Sequence, residues 1–254
     1  MDPDQRRAAM LELAQAAGEL KVEELAQRFE VSRETVRRDL AQLDSQGLLR
    51  RVHGGAQKTK LSVEAPFVQR LTENAYPKER IARRAAALFE DNETVMIDAG
   101  TTTEFFAAAL AGAARCTVVT NSIGVALRVQ EGGSRSKVYL LGGECHADTK
   151  EVVGSITLEQ VTRFRADHAV LTIGAIDSSL GLMDFDLEEA MVARAMIAQA
   201  QKLTILADHS KFDRVGMAQV CHFEAIDRIV TDRIPSGSIM EAIRDHGVEL
   251  FVAE

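Results

Sequence analysis

Long apolar runs are missing from this sequence of 254 residues. No stretch approaches the roughly 20 apolar residues that a membrane-spanning helix needs. The first residues, MDPDQRR, are acidic and then basic and lack the apolar core of a signal peptide. Cysteine is also scarce, and Cys116, Cys145 and Cys221 are scattered and odd in number, which is typical of a reduced chain. We therefore expect a cytoplasmic protein that has no membrane partner.

Motifs for metals, cofactors and nucleophiles are absent as well. Cys145 and His146 could be metal ligands, but no partner pair stands at ligand spacing. Neither His146 nor His168 belongs to an arguable triad, and no Ser or Cys stands in a nucleophile elbow. The sequence therefore predicts no metal, no cofactor and no enzymatic activity.

The net charge of −8 argues against a nucleic-acid partner until its distribution is considered. Between Val31 and Lys60, seven Lys and Arg residues stand against three acidic ones, so this segment carries +4 and the remainder −12. A basic patch on an acidic body is compatible with a protein that binds DNA through one end only.

The basic segment contains the most informative stretch of the chain, residues 32–43. If this stretch is helical, Val36, Leu40 and Leu43 lie on one apolar stripe, and Ser32 is a good N-cap. The opposite face, with Arg33 at its border, carries Glu34, Arg37, Arg38 and Ala41. Arginine is the side chain best shaped for bidentate contact with a phosphate or a guanine edge. We interpret this face as a DNA-reading surface.

The flanking residues predict a winged helix-turn-helix. Residues 5–17 and 22–29 have the apolar periodicity of two earlier helices, and 30–32 form a tight turn into the third. Residues 47–56 have the pattern of two short strands, a wing that would carry Arg50, Arg51 and His53. The alternative is a three-helix packing unit with a solvated charged face.

From residue 94 onward, short β-rich runs alternate with helical stretches. The runs are 94–97, 116–119, 137–141, 168–173, 203–207 and 226–231, with 248–252 as a candidate seventh. The helical stretches include 102–111, 123–130, 187–200 and 238–246. Such alternation of nearly continuous apolar strands with helices predicts a parallel sheet covered on both faces, and hence an α/β domain.

Polar residues follow four of the predicted strands. They are residues 98–103, 120–122, 142–143 and 208–212. In open parallel sheets, ligands bind outside the carboxyl ends of the strands. Free N–H groups at a helix start, hydroxyls and Lys211 would hold a phosphate, and Asp98 and Asn121 would hold sugar hydroxyls. The alternative is that the Asp, Thr, Asn and Ser residues are only N-caps.

An acid-rich loop follows the predicted strand 168–173. Its Asp184 and Glu188 would bind ligand hydroxyls or, equally, cap the next helix and favour its dipole. The same acids allow a rival interpretation, a sugar-phosphate isomerase with a DNA-binding tether, in which Asp184 or Glu188 is the base and Lys211 an electrostatic partner.

These motifs together resemble the DeoR family of bacterial repressors over nearly the whole chain. The first signature runs from Val31-Ser32 through Thr35-Val36-Arg37-Arg38-Asp39-Leu40 to His53-Gly54-Gly55-Ala56. The second half is similar to the family's sensor domain, related to the ribose-phosphate isomerase fold, in Asp98-x-Gly100-Thr101-Thr102, Thr120-Asn121-Ser122, Leu141-Gly142-Gly143 and Asp208-His209-Ser210-Lys211-Phe212. Residues 174–186 are similar to the glycerol-3-phosphate repressor branch.

The resemblance implies a repressor that leaves double-stranded operator DNA when a phosphorylated sugar or polyol, such as glycerol 3-phosphate, binds. The residues expected to contact DNA are Ser32, Arg33, Thr35, Arg37, Arg38, Arg51 and His53. Those expected to contact the effector are Asp98, Gly100, Thr101, Thr102, Thr103, Thr120, Asn121, Ser122, Gly142, Gly143, Asp184, Glu188 and Lys211. Two positions depart from the family pattern: Lys21 replaces a common Ser cap, and Asp213 replaces a common Gly.

We expect a DNA-binding domain over residues 1–56, a linker over 57–76 that becomes helical near Val68, and an effector domain over 77–254. One winged helix makes a small interface with DNA, so the active species is expected to be a homodimer or homotetramer.

Overall fold

The computed structural model describes residues 2–17, 19–45, 49–52, 54–58, 64–133, 135–235 and 237–253. The chain divides into two compact units, Met1–Val63 and Glu64–Glu254. The predicted limits of the domains and linker remain predictions. Residues 64–76 of the predicted linker fall in the second unit, where they include a short helix.

The first unit has three helices and a small antiparallel sheet among its described residues. The helices are α1 (Pro3–Ala17), α2 (Val22–Arg28) and α3 (Arg33–Ser45), and the strands are β1 (Glu19–Lys21), β2 (Leu49–Val52) and β3 (Gly55–Lys58), in the order β1-β3-β2. The pair β2–β3 confirms the predicted wing. Strand β1 was not predicted, because three residues are too few to show an alternation.

The core of the first unit is the apolar stripe of α3 packed against α1. Val36, Leu40 and Leu43 are at most 1% exposed, which confirms the predicted inward face, and Met10 and Ala14 of α1 meet them. The predicted N-cap is also confirmed, because Ser32 Oγ accepts the N–H of Thr35 at 3.1 Å. Helix α2 has no side-chain cap at Lys21, but its first N–H, from Val22, is satisfied by the carbonyl of Gly54 at 2.9 Å.

The second unit is built on a sheet of seven parallel strands. They are β4 (Thr94–Ile97), β5 (Thr117–Thr120), β6 (Lys137–Leu140), β9 (Ala166–Thr172), β12 (Ala200–Leu206), β14 (Arg228–Thr231) and β15 (Glu249–Val252). Their order is β15-β14-β12-β9-β4-β5-β6, and every neighbouring pair is parallel. All seven predicted runs are therefore strands of one sheet, with ends that differ by a few residues.

Helices cover the sheet, and each face has its own apolar core. The helices are α4 (Phe67–Thr72), α5 (Ala75–Ala86), α6 (Thr101–Ala113), α7 (Ile123–Glu131), α8 (Ser155–Val161), α9 (Leu187–Gln199) and α10 (Gly237–Asp245). Met96 and Ile205 belong to one core, and Val95 and Leu206 to the other, which is why the strands have no polar alternation. The predicted α/β class is confirmed.

Two smaller sheets complete the second unit. Strands β10 (Ala175–Asp177), β11 (Gly181–Asp184) and β13 (Ala218–Cys221) form an antiparallel sheet, and β7 (Glu144–Cys145) pairs with β8 (Val152–Val153). None of these strands was predicted. Searched over the described residues, none of the helices has both the length and the apolar character needed to cross a bilayer.

Candidate nucleic-acid interface and ligand pocket

The outward face of α3 is exposed and basic. Arg33, Arg37 and Arg38 all lie in solvent. Arg33 is 3.6 Å from Glu23 and Arg37 is 3.6 Å from Glu34, and both are exposed pairs of the kind that contribute little and exchange easily. Within the described part of the chain, Arg38 has no ion-pair partner. Three guanidinium groups are therefore available to an anionic ligand without breaking a buried contact.

The remaining predicted DNA contacts divide into two groups. Thr35 lies at the start of α3, where its hydroxyl is 2.9 Å from that of Ser32, so this pair also stabilises the helix start. Arg51 of β2 has an exposed side chain, and its N–H is held by Asp44 Oδ1 at 2.9 Å. His53 lies outside the described residues. The wing thus presents at least one cation from a fixed backbone.

The second unit has a pocket, open to solvent, at the carboxyl ends of β12, β9, β4 and β5. These four strands are adjacent in the sheet, so the strand-end rule selects the correct edge. The predicted residues that line the pocket are Asp98, Thr101, Asn121, Asp184 and Lys211. The polar residues that line it and were not predicted are Glu64, Arg70, Glu151, Thr172 and Glu189.

Several predicted hydroxyls serve the backbone instead, which corrects the sequence interpretation. Ser122 Oγ accepts the N–H of Val125 at 3.2 Å and caps α7. Thr120 Oγ1 accepts the N–H of Ser122 at 3.0 Å, and Thr103 Oγ1 donates to the carbonyl of Gly100 at 3.0 Å. The N-cap alternative describes Ser122, and the hydroxyls of Thr120 and Thr103 bond to backbone groups of the neighbouring turns. Thr102 is buried in α6 and does not line the pocket.

Three predicted glycines and one acid also lie outside the pocket lining. Gly142 donates to Gln160 and accepts from Thr157, so residues 142–143 pack on α8. Glu188 is exposed, whereas its neighbour Glu189 turns toward the pocket, since adjacent helical residues point about 100° apart. Gly100 has a packing role next to Thr172, because a Cβ there would lie 2.0 Å from Thr172 Cγ2.

The positive side of the pocket consists of Lys211 and Arg70. Lys211 Nζ is 2.9 Å from Glu64 Oε1, and Arg70 Nη1 is 2.8 Å from Glu64 Oε2. All three side chains are less than one-fifth exposed. Burial alone would raise the pKa of Glu64, but the charges of Lys211 and Arg70 outweigh it and lower that pKa. Glu64 is therefore an anion held between two cations.

The opposite side of the pocket consists of carboxyl groups. Burial is the main cause that raises the pKa of Asp98 well above its usual range, that of Asp184 to about 6, that of Glu189 to about 8 and that of Glu151 to about 10. Their mutual repulsion adds to the shift. The carboxyl side accordingly holds protons at neutral pH that free carboxyl groups release.

Three buried oxygens at the pocket have no hydrogen-bond partner among the described residues: Asp98 Oδ1, Asn121 Oδ1 and Glu151 Oε1. Asp98 uses its other oxygen to accept the N–H of Thr172 at 2.9 Å. Buried acceptors without donors cost free energy, so this side of the pocket is suited to a ligand that brings hydroxyl groups or a positive charge.

One cluster has the composition of a cation site. His146, Glu151 and Glu189 place one possible ligand atom each within 4.8 Å of one another. The prediction of no metal rested on the spacing around Cys145 and His146, and it did not foresee that two distant glutamates approach this histidine.

The departure from the family pattern at Asp213 falls in the turn after Lys211. Asp213 has φ of +56°, a left-handed conformation that favours glycine and that Asp adopts more readily than most residues. Lys211 therefore extends from a turn of the kind that a glycine would allow.

Comparison with known proteins identifies both units. Residues 6–61 match the DeoR-like helix-turn-helix domain, and residues 73–233 match the DeoR C terminal sensor domain. The chain belongs to the DeoR family. It is 36% identical to the glycerol-3-phosphate regulon repressor of Escherichia coli (strain K12) over 252 residues, and the matched region covers 98% of this chain and 99% of that protein. It is 34% identical to the HTH-type transcriptional repressor GlcR of Bacillus subtilis (strain 168), over 100% of this chain and 98% of that protein.

The relatives are named as repressors, so this DeoR-family chain is a DNA-binding transcriptional regulator and not an enzyme, as the sequence predicted. Among solved structures, ribose 5-phosphate isomerase A of Methanocaldococcus jannaschii covers 55% of this chain and 55% of its own, at 14% identity and a TM-score of 0.41. A likeness of that degree carries no argument for the rival isomerase.

Proposed function

We propose that this repressor controls an operon for glycerol or a related polyol and leaves its operator when a polyol phosphate, such as glycerol 3-phosphate, enters the pocket of the second unit. The observation that carries the proposal is the division of that pocket into a cationic side, with Lys211 and Arg70, and a side of unpartnered acceptors. A phosphorylated polyol has the matching halves, a dianion and a row of hydroxyl donors.

The contacts of such a ligand follow from the charges. Its phosphate would lie near Lys211 and the start of α6 at Thr101, where helical N–H groups favour an anion. Its hydroxyls would donate to Asp98 Oδ1 and Asn121 Oδ1, two buried oxygens that lack a hydrogen-bond partner among the described residues. A relative named glycerol-3-phosphate regulon repressor supports a three-carbon polyol phosphate over a larger sugar.

The DNA contacts are proposed at the arginine face of α3 and at the wing. A single unit of this size buries less surface than the 1,000–2,500 Å² typical of specific complexes. Two copies related by a two-fold axis would match a two-fold operator. We therefore propose a homodimer or homotetramer as the species that binds the operator.

The test is operator binding with and without effector. A fluorescent DNA fragment selected for binding from a random library is titrated with the full chain, and anisotropy gives the affinity. Glycerol 3-phosphate at saturation is expected to weaken binding by about 5- to 150-fold, the usual range of coupling between sites. Glycerol is the matched control, and equal release by glycerol would contradict the role given to the phosphate.

The arginine face is tested separately. Arg38→Ala is expected to weaken operator binding by about 1–3 kcal/mol if the guanidinium contacts a base edge, and by less if it contacts only phosphate. Arg163→Ala, which removes an exposed arginine of the second unit, is the control. Unchanged affinity of the folded Arg38→Ala protein would show that α3 does not bind the operator through this residue.

A further inference from the structure

The cationic side of the pocket already contains an anion from the chain itself. Glu64 spans Lys211 Nζ, at 2.9 Å from one carboxylate oxygen, and Arg70 Nη1, at 2.8 Å from the other. Lys211 and Arg70 are the only cationic side chains in the pocket lining among the described residues. Glu64 therefore uses the charges on which a ligand phosphate would depend.

A phosphate cannot simply join this arrangement. With Glu64 in place, its carboxylate lies between Lys211 and Arg70, so a dianion beside Glu64 would be repelled by it and attracted only to cations already partly neutralised. A phosphate that replaces the Glu64 carboxylate meets two unpaired cations in a partly buried site, where charge-assisted hydrogen bonds are strong. Exchange is thus favoured over addition.

The position of Glu64 in the chain gives this exchange a consequence. Glu64 is the first residue of the second unit, and the chain before it leads to the DNA-binding unit. The residues after it are anchored: the N–H of Phe67 donates to Asp148 Oδ2 at 3.0 Å, the Phe67 ring is 7% exposed, and Lys78 Nζ donates to carbonyls of Arg70 and Glu73. The carbonyl of Ala65 also accepts a hydrogen bond from Arg70 Nε, at 2.9 Å. Release of the Glu64 carboxylate therefore frees the first residue of the second unit without requiring α4 to leave its place.

We propose that the effector's phosphate displaces the Glu64 carboxylate from Lys211 and Arg70, and that this exchange links effector binding to loss of operator affinity. The inference rests on the proposed function and adds to it a second cation, Arg70, and an internal competitor, Glu64. The coupling is reciprocal. Whatever strengthens the ion pairs of Glu64 with Lys211 and Arg70 weakens effector binding, and effector binding weakens those ion pairs by the same factor.

The test is Glu64→Gln in the full chain, which keeps the size of the side chain and one acceptor oxygen and removes its charge. By calorimetry, glycerol 3-phosphate is expected to bind Glu64→Gln about 10-fold more tightly than the parent, and inorganic phosphate is expected to show the same direction of change. The ratio of operator affinities without and with effector is expected to shrink by a similar factor. Glu73→Gln, an exposed glutamate nearby in the chain, is the control.

Each outcome separates the two ideas. Equal affinity of parent and Glu64→Gln for glycerol 3-phosphate overturns the exchange and leaves the proposed function intact. If glycerol 3-phosphate binds neither protein, the proposed function fails. Inorganic phosphate then tests the exchange by itself, because tighter binding of phosphate to Glu64→Gln than to the parent supports the exchange and equal binding overturns it. Should Glu64→Gln not fold, Glu64→Asp, whose shorter carboxylate reaches one cation less well, is expected to show a smaller gain in the same direction.

Discussion

Replacing Asp39 by alanine is expected to lower the free energy of unfolding of the DNA-binding unit by about 2–4 kcal/mol and to abolish operator binding at 37 °C. Asp39 lies on α3 and is 3% exposed, and its Oδ2 accepts a hydrogen bond from Arg6 Nε of α1 at 2.6 Å. Arg6 is itself 6% exposed, so the substitution leaves a guanidinium buried without its anion. A unit of this size has few kcal/mol to lose.

The measurement is thermal unfolding of the full chain by circular dichroism, with operator anisotropy as a second readout. Asp39→Asn, which retains a hydrogen-bond acceptor, is expected to lose less stability than Asp39→Ala. Glu12→Ala removes an exposed carboxylate from α1 of the same unit and is the matched control. If Asp39→Ala and Glu12→Ala unfold at the same temperature, the buried ion pair does not stabilise the unit.

The strands of the large sheet could be predicted because the pattern that marks each of them, a short apolar run, is local in the sequence. The five inner strands contain apolar runs buried on both faces, and the run 203–207 or 94–97 can be identified without knowing its neighbours. The three-stranded sheet β10-β11-β13 was not open to prediction, because Leu182 and Met183 pair with Cys221 and Gln219, across about 40 intervening residues. Strands of two to four residues give no periodicity to detect.

The pocket was predicted in part for the same reason. The strand-end rule found Asp98 and Asn121 because each follows its strand directly, and Lys211 because it lies in the short turn after β12. It could not separate a hydroxyl that faces a ligand from one that caps a helix, as Ser122 does, since both uses favour the same residue types at the same position. Only the hydrogen bonds of the folded chain make that distinction.

Residues that reach the pocket from other elements were missed. Glu64 and Lys211 are 147 positions apart, and Glu64 and Arg70 lie in a stretch that reads as a linker because of its polar residues and Pro66. Glu151 is buried although glutamate is seldom buried unless paired. Arg6 and Asp39 were missed in the same way, since nothing in the sequence joins two charges 33 residues apart.

The carboxyl side of the pocket makes the stability of the second unit depend on pH. In the unfolded chain Glu151 and Glu189 have ordinary pKa values near 4.5, whereas burial and neighbouring carboxylates raise them to about 10 and about 8 in the fold. The folded state therefore binds more protons at these two groups than the unfolded state between these values, so their contribution to stability is fullest below about pH 4.5 and falls as pH rises toward 8–10. We expect the second unit to melt at a lower temperature at pH 8 than at pH 5.5.

Glu151→Gln is expected to stabilise the second unit at pH 8 by about 2–4 kcal/mol and to flatten its pH dependence. The amide fills the same space, has no charge to bury and can donate toward the unpartnered acceptors, whereas the carboxyl must hold a proton or carry an unpaired charge at 3% exposure. Glu188→Gln, an exposed glutamate beside the pocket, is the control and is expected to change neither property. Melting curves from pH 5 to 9, with and without a chelator, measure the effect. Two results would contradict this expectation. The first is a loss of stability in Glu151→Gln at pH 8. The second is a parent protein that a chelator destabilises, because a cation held by His146, Glu151 and Glu189 would then already neutralise these carboxylates.

A gain in stability on replacing the Glu151 carboxyl group would mark Glu151 as a residue kept for the ligand rather than for the fold.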